Sequence, residues 1–223
     1  MTIKILLEEL VDVLGLEKAE DLELQVNNTY SDVDVSITED TVVITIDDIY
    51  TLSDEAYQHL IRLCDQGQFD KALKKALSFY PNYSLSPALN RIIGQIYYMI
   101  SQYDKSRDYL IEALRLNPKN NGALILMGNL YYQNCDLETA LKYWHTALRY
   151  NSDDYISLSN IGSTLAKEEQ YQEAKSFFEQ AITANDKFPN AYLGLGLIGY
   201  YEEDFATSFD YAIQALLLLK EKN

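Results

Sequence analysis

The stretch Asn121–Asp154 reads NGALILMGNLYYQNCDLETALKYWHTALRYNSDD, and it decides the fold. Leu124, Met127 and Tyr131 share the spacing of one helix face, and Ala140, Trp144 and Ala147 share that of a second. Cys135 lies in the polar break between the two, so the stretch predicts helix A, a short turn and an antiparallel helix B. The pattern recurs along the chain. Gly94, Gly128, Gly162 and Gly196 fall 34 residues apart, each inside a predicted helix A. Ala72, Ser106, Ala140, Ala174 and Ser208 form a second column, and Ala113, Ala147, Ala181 and Ala215 a third. Phe69, Tyr103, Leu137, Tyr171 and Phe205 form a fourth at the start of helix B.

Chance does not put four columns in phase. A glycine inside a helix costs about 1 kcal/mol relative to alanine, so it needs a packing reason. The expected reason is close approach of helix B, whose small residue faces the gap. The mostly aromatic column is expected to fill the wedge between neighbouring units. No single helix pair can bury its stripe, so the units must stack.

Working outward, residues 1–52 differ in charge and in period. They carry 13 acids and two bases, a net of −11, against 21 acids and 16 bases in residues 53–223. Ile3, Leu6, Leu7, Leu10 and Leu14 predict a helix over 3–16. Alternating runs at Leu22–Val26, Val33–Ile37 and Val42–Ile46 predict three short strands, with polar breaks at Asn27-Asn28 and Glu39-Asp40. The expectation is a mostly α chain: a right-handed solenoid of five helix-turn-helix units, preceded by a small acidic α+β cap over 1–52. The units are 53–86, 87–120, 121–154, 155–188 and 189–222.

Composition narrows the function. Apolar types supply 48% of the 223 residues, enough for a packed core. The formal charge of −16 argues against nucleic acid or an anionic membrane surface as partner. Cys64 and Cys135 make neither a disulfide framework nor a zinc set, so a cytoplasmic location is expected, with no cofactor and no metal. Glu8, Glu9 and Asp12 break any secretory leader, and no apolar run approaches the ~20 residues of a membrane span. His59 and His145 stand apart from any triad or ligand spacing, and no phosphate-cradling loop, HExxH or GxSxG occurs. An enzyme is not expected.

The columns resemble the tetratricopeptide repeat, whose signature runs W-x2-L-G-x2-Y, then A-x3-F, then P. Asn121–Asp154 matches closely, with Leu124, Met127-Gly128, Tyr131, Ala140, Trp144 and Ala147 in phase. Pro118 adds the terminal proline to the second unit, and Leu158, Ile161-Gly162, Ala174, Phe178 and Ala181 continue the pattern in the fourth. The end units depart from it. Leu60 replaces the first glycine, Pro81 arrives three positions early, Gly199 stands where tyrosine is usual, and Ala212 replaces the aromatic.

The resemblance implies a scaffold or adaptor that binds another protein or peptide in a groove lined by helices A. Carried over position by position, the groove would hold Tyr57 and Ile61, then Arg91, Gln95, Tyr98 and Met99. It would continue through Ile125, Asn129, Tyr132 and Gln133, then Ser159, Ser163 and Lys167, and end at Leu193, Leu197, Tyr200 and Tyr201. The lysine-and-asparagine clamp that some members use for acidic C-terminal tails is absent, since Tyr57 and Ile61 occupy its first positions. The alternative that the resemblance allows is a cytoplasmic chaperone of a secreted, translocator-like client. At the C-terminal end, Phe209, Ile213 and Leu217 form an apolar stripe where sibling units carry Arg107, Ile111 and Arg115, or Lys175, Glu179 and Thr183. That stripe implies a covered surface, with a symmetric homodimer as the expected cover.

Overall fold

The computed structural model describes residues 2–6, 33–37, 41–46 and 52–221. The chain divides into two compact units, Met1–Leu89 and Asn90–Asn223.

In the first unit, β1 (Thr2–Leu6), β2 (Val33–Ile37) and β3 (Thr41–Ile46) form an antiparallel sheet in the order β1-β3-β2. Ile44 stands opposite Ile3 on one side and Val35 on the other. β2 and β3 lie where period-two alternation places them. β1 overturns the helix expected from residue 3. Thr2-Ile3-Lys4-Ile5-Leu6 alternates and is rich in β-branched residues, so it suits a pleated strand, and an apolar run this short fits either period. Leu7–Leu16 and the expected strand Leu22–Val26 lie outside the described residues.

Among the described residues, this unit also holds α1 (Asp54–Asp65) and α2 (Phe69–Tyr83). Ser53 caps α1, its hydroxyl accepting from the Ala56 amide at 3.3 Å. Leu60 is fully buried, as are Ala72 and Ala76 on α2. Pro81 does not end α2 but sits in its last turn, where the helix runs on to Tyr83.

The second unit holds most of α3 (Pro87–Met99) and all of α4 (Tyr103–Leu116), α5 (Asn121–Gln133) and α6 (Leu137–Tyr150). It continues through α7 (Tyr155–Lys167), α8 (Tyr171–Ala184), α9 (Pro189–Tyr201) and α10 (Phe205–Glu221). The A helices α3, α5, α7 and α9 begin 34 residues apart, and so do the B helices α4, α6, α8 and α10. From α4 on, each helix packs on its successor, and α7 also touches α9. One core cluster runs through Trp144, Ile161, Phe178 and Ile198, from α6 to α9. A second joins Leu110, Ala123, Met127 and Leu130.

The glycine column has a more specific cause than a small residue facing a gap. A Cβ on Gly94 would meet Leu110 Cγ at 2.8 Å, and one on Gly162 would meet Phe178 Cε1 at 3.1 Å. A Cβ on Gly128 would overlap the Trp144 indole. The large side chain sixteen residues on therefore fills the space that the glycine vacates. In the first helix pair the sizes are exchanged, with Leu60 in the glycine column and Ala76 opposite. In the last pair both are small, and a Cβ on Gly196 would meet the Ser208 carbonyl oxygen at 3.2 Å, the same approach to helix B backbone found at Gly94 and Gly162. Where the column carries serine, the hydroxyl gains a role. Ser106 Oγ donates to the Gly94 carbonyl at 2.7 Å, and Ser208 Oγ to that of Gly196 at 2.8 Å.

The aromatic column departs from expectation. Tyr103 and Phe205 are exposed, and they meet Tyr98 and Tyr200 of their own helix pairs. Only Tyr171 reaches a neighbouring pair among the ring contacts described, stacking on Tyr201 at 5.5 Å. The column borders the A–B turn, and its first-turn position leaves the ring half in solvent.

Each A–B turn is the same motif. Gly67, Ser101, Cys135, Glu169 and Glu203 all have φ between 60° and 67°, the left-handed region, at 34-residue intervals. Around Cys135 the amide of Asp136 donates to the Tyr131 carbonyl, and that of Cys135 to the Tyr132 carbonyl, a Schellman closure. Asp136 then caps α6 through the Thr139 amide at 3.1 Å, and its hydrogen bonds to Thr139 hold its carboxyl below the usual range.

Candidate functional site

Four helices of the second unit enclose a cleft of about 290 Å3. Its walls are Tyr98 on α3, Asn129, Tyr132 and Gln133 on α5, Trp144 on α6, and Asn160 and Ser163 on α7. Helical spacing brings Asn129, Tyr132 and Gln133 to one face of α5. The Trp144 indole forms the floor, donating through Nε1 to the Ile125 carbonyl at 3.2 Å and lying 5.9 Å from the Tyr132 ring.

The polar centre is an amide pair. Asn160 Nδ2 donates to Asn129 Oδ1 at 2.9 Å across the α5–α7 contact. Among the described residues, Asn129 Nδ2 and Asn160 Oδ1 make no hydrogen bond. One donor and one acceptor therefore stand side by side in a half-buried site. Ser163 turns its hydroxyl to the Ser159 carbonyl at 2.8 Å. Lys167 places Nζ 5.3 Å from the Tyr132 ring centre, a cation–π contact at the rim. Behind α5, Tyr131 stacks on Tyr143 at 5.5 Å, and burial pushes the Tyr143 phenol up.

The structure gathers Tyr98, Asn129, Tyr132, Gln133 and Ser163 of the sequence-derived groove into this cleft, with Lys167 at its rim. Ile125 contributes its carbonyl beneath the floor. Arg91 and Gln95 are engaged with each other along α3, Arg91 Nη1 donating to Gln95 Oε1 at 2.8 Å. Tyr57 belongs to the Met1–Leu89 unit. Tyr200 and Tyr201 are exposed on α9 and meet edge to face at 5.9 Å, outside the cleft. Phe209, Ile213 and Leu217 are exposed on α10.

Two lining residues escape a reading by groove position. Trp144 sits in the signature column that reads as core, yet its ring edge reaches the cleft. Asn160 is the sixth residue of its unit, and only its pairing with Asn129, the ninth of the preceding unit, reveals it.

Among the described residues, no three of His, Cys, Asp and Glu gather as a metal site, and no helix is long and apolar enough to cross a membrane.

Comparison with known proteins agrees with the period. The tetratricopeptide repeat profile matches residues 125–191 and again residues 92–120. Tetratricopeptide repeat protein 37 of Xenopus laevis is 30% identical over 103 residues, 46% of this chain and 7% of that protein. Tetratricopeptide repeat protein 21A of Mus musculus is 23% identical over 127 residues, 56% of this chain and 9% of that protein. The chain thus spans less than a tenth of either relative. The solved structure of YrrB, described as a TPR protein with an unusual peptide-binding site, superposes with a TM-score of 0.52 at 19% identity. That alignment covers 75% of this chain and 86% of YrrB, and it shows a shared fold. Helix pairs at a fixed 34-residue interval, glycines facing large side chains and two profile matches converge: the chain is a tetratricopeptide repeat protein.

Proposed function

We propose that this protein is an interaction scaffold or adaptor, working in the cytoplasm, that holds a segment of a partner polypeptide in the cleft between α3, α5 and α7. The observation that carries this reading is the Asn129–Asn160 pair, with one donor and one acceptor unused. A peptide group offers the complementary C=O and N–H, and truncating either amide would leave the bound peptide group without its partner. Tyr98 and Tyr132 flank the pair as rigid aromatic anchors, the residue type that dominates binding hot spots. The site supplies no general base paired to a nucleophile, so recognition rather than turnover suits it. Residues 1–52 precede the repeats as an acidic cap in this reading.

The test is the double variant Asn129→Ala with Tyr132→Ala. Hot-spot truncations cost about 2 kcal/mol or more each, so the dissociation constant for the native partner should rise on the order of a thousandfold. The helical circular dichroism should persist. A folded variant with unchanged affinity would remove the site from this cleft. If the partner is a secreted client, co-expression should also keep that client soluble.

A second copy is the cover proposed for the C-terminal stripe. Phe209 is 67% exposed and Leu216 63%, whereas their counterparts in the third pair, Leu141 and Leu148, pack half-buried against the core shared with the next pair. A self-complementary apolar patch closes most simply about a two-fold axis. Light scattering should give a dimer, and Phe209→Glu with Leu217→Glu should give a folded monomer. A wild-type monomer would end this reading.

A further inference from the structure

The first helix pair breaks the repeat columns on one face. His59 on α1 stands where the later pairs carry Ile93, Met127, Ile161 and Leu195, all four buried. Lys75 on α2 stands where they carry Tyr109, Tyr143, Phe177 and Tyr211. In the second and third pairs this column stacks on a tyrosine of helix A, Tyr97 on Tyr109 at 5.6 Å and Tyr131 on Tyr143 at 5.5 Å. The first pair has Leu63 and Lys75 instead. What remains is an open trough of about 490 Å3 whose lining includes His59, Leu63, Lys71, Lys74, Lys75 and Ser78.

Three lysines within five residues, at i, i+3 and i+4, share one side of α2, and like charges at that spacing repel. Lys71 Nζ donates to Gln68 at 2.9 Å, and Lys75 Nζ lies 4.8 Å from the Phe79 ring centre. Among the described residues, no carboxylate forms an ion pair with any of the three, in a chain that carries 34 acids. An anionic occupant would relieve the repulsion. The trough wall is mostly carbon, and Leu63 and the methylenes of the lining lysines are its apolar groups. The occupant therefore needs both carboxylates and apolar side chains. A long polyanion such as nucleic acid meets the net charge of −16, whereas a short acidic segment meets mainly the local lysines.

We propose that this trough docks an acidic, amphipathic peptide segment of a partner protein. It lies in the Met1–Leu89 unit and does not depend on the Asn129–Asn160 cleft. Carboxylates of the segment pair with Lys71, Lys74 and Lys75, and its apolar side chains lie on Leu63. Opposed charges of this kind speed encounter and make the affinity depend on salt.

The experiment is a fluorescence-anisotropy titration of the full chain with a short fluorescein-labelled peptide of Asp-Glu-Leu repeats, at about 50 mM and about 300 mM salt. Saturable binding at the lower salt is expected, weakened about tenfold at the higher. Lys71→Gln, Lys74→Gln and Lys75→Gln together should weaken it about tenfold or more, and Lys74→Glu alone should move it the same way with the least disturbance to folding. Asn129→Ala with Tyr132→Ala should leave it unchanged, which separates this surface from the cleft. The proposal is overturned if the wild type shows no saturable binding, including through cover by its own acidic residues. It is equally overturned if the lysine variants bind as tightly as wild type, or if a labelled oligonucleotide binds as well as the peptide.

Discussion

Replacing Trp144 by alanine is expected to destabilise the protein by about 3–5 kcal/mol, a large part of the stability of a domain this size. The indole is 2% exposed and occupies the space that Gly128 leaves open, so its loss makes a cavity where α5 and α6 meet. It also removes the floor beneath Tyr132 and the donor that reaches the Ile125 carbonyl. Urea or thermal unfolding followed by circular dichroism reads the loss. The first helix pair shows how to compensate, since Leu60 and Ala76 exchange the large and small positions. Adding Gly128→Leu to Trp144→Ala should therefore recover part of the stability, although Gly128→Leu alone should destabilise by overpacking against the indole. A double variant no better than Trp144→Ala would contradict the pairing of these two columns.

The second large effect runs in the stabilising direction. Ser101, Cys135, Glu169 and Glu203 hold φ near 60°, a conformation that costs an L-residue roughly 1–2 kcal/mol and a glycine almost nothing. Gly67 already fills the equivalent turn of the first pair. Substituting glycine at the other four should stabilise by about 0.5–1 kcal/mol each, less than the full strain because glycine loses more entropy on folding. Summed, the four substitutions should give about 2–4 kcal/mol, with coupling expected between 169 and 203, whose flanking residues meet through Tyr171–Tyr201 and Gln172–Glu202. A quadruple variant that melts at or below the wild-type temperature would show that these turns carry no backbone strain.

Much of this architecture was legible because a repeat states each constraint several times. The 34-residue columns place the helix pairs from 53 onward, and the Asn134-Cys135-Asp136 break places a turn. The geometry inside that frame was less accessible. A glycine column announces close approach, but the partner sixteen residues away emerges only when its size is compared across units. Residues 2–6 misled because Ile3 and Leu6 fit a helical stripe while Thr2, Lys4 and Ile5 complete a strand. Pro81 arrives early against the repeat signature and sits in the last turn of α2, where it withholds the amide that would donate to the Leu77 carbonyl, yet the helix runs on to Tyr83. In the cleft, Asn129 and Tyr132 follow from their places on helix A. Asn160 does not, because its role comes from a neighbour 31 residues away. The lysine trough was hidden for a related reason: each lysine alone reads as a solvated side chain, and only the aromatic columns of the later pairs mark the substitution.

Site-directed photo-crosslinking tests the central claim most directly. A benzoylphenylalanine replaces Gln133, on the wall of the α5–α7 cleft, or in a second variant Gln180, exposed on α8. Each is irradiated in the native cell, and the crosslinked peptide is identified by mass spectrometry. The account predicts a partner polypeptide joined at position 133 and none at 180. Crosslinking at 180 with none at 133 would place recognition on the B helices and contradict it.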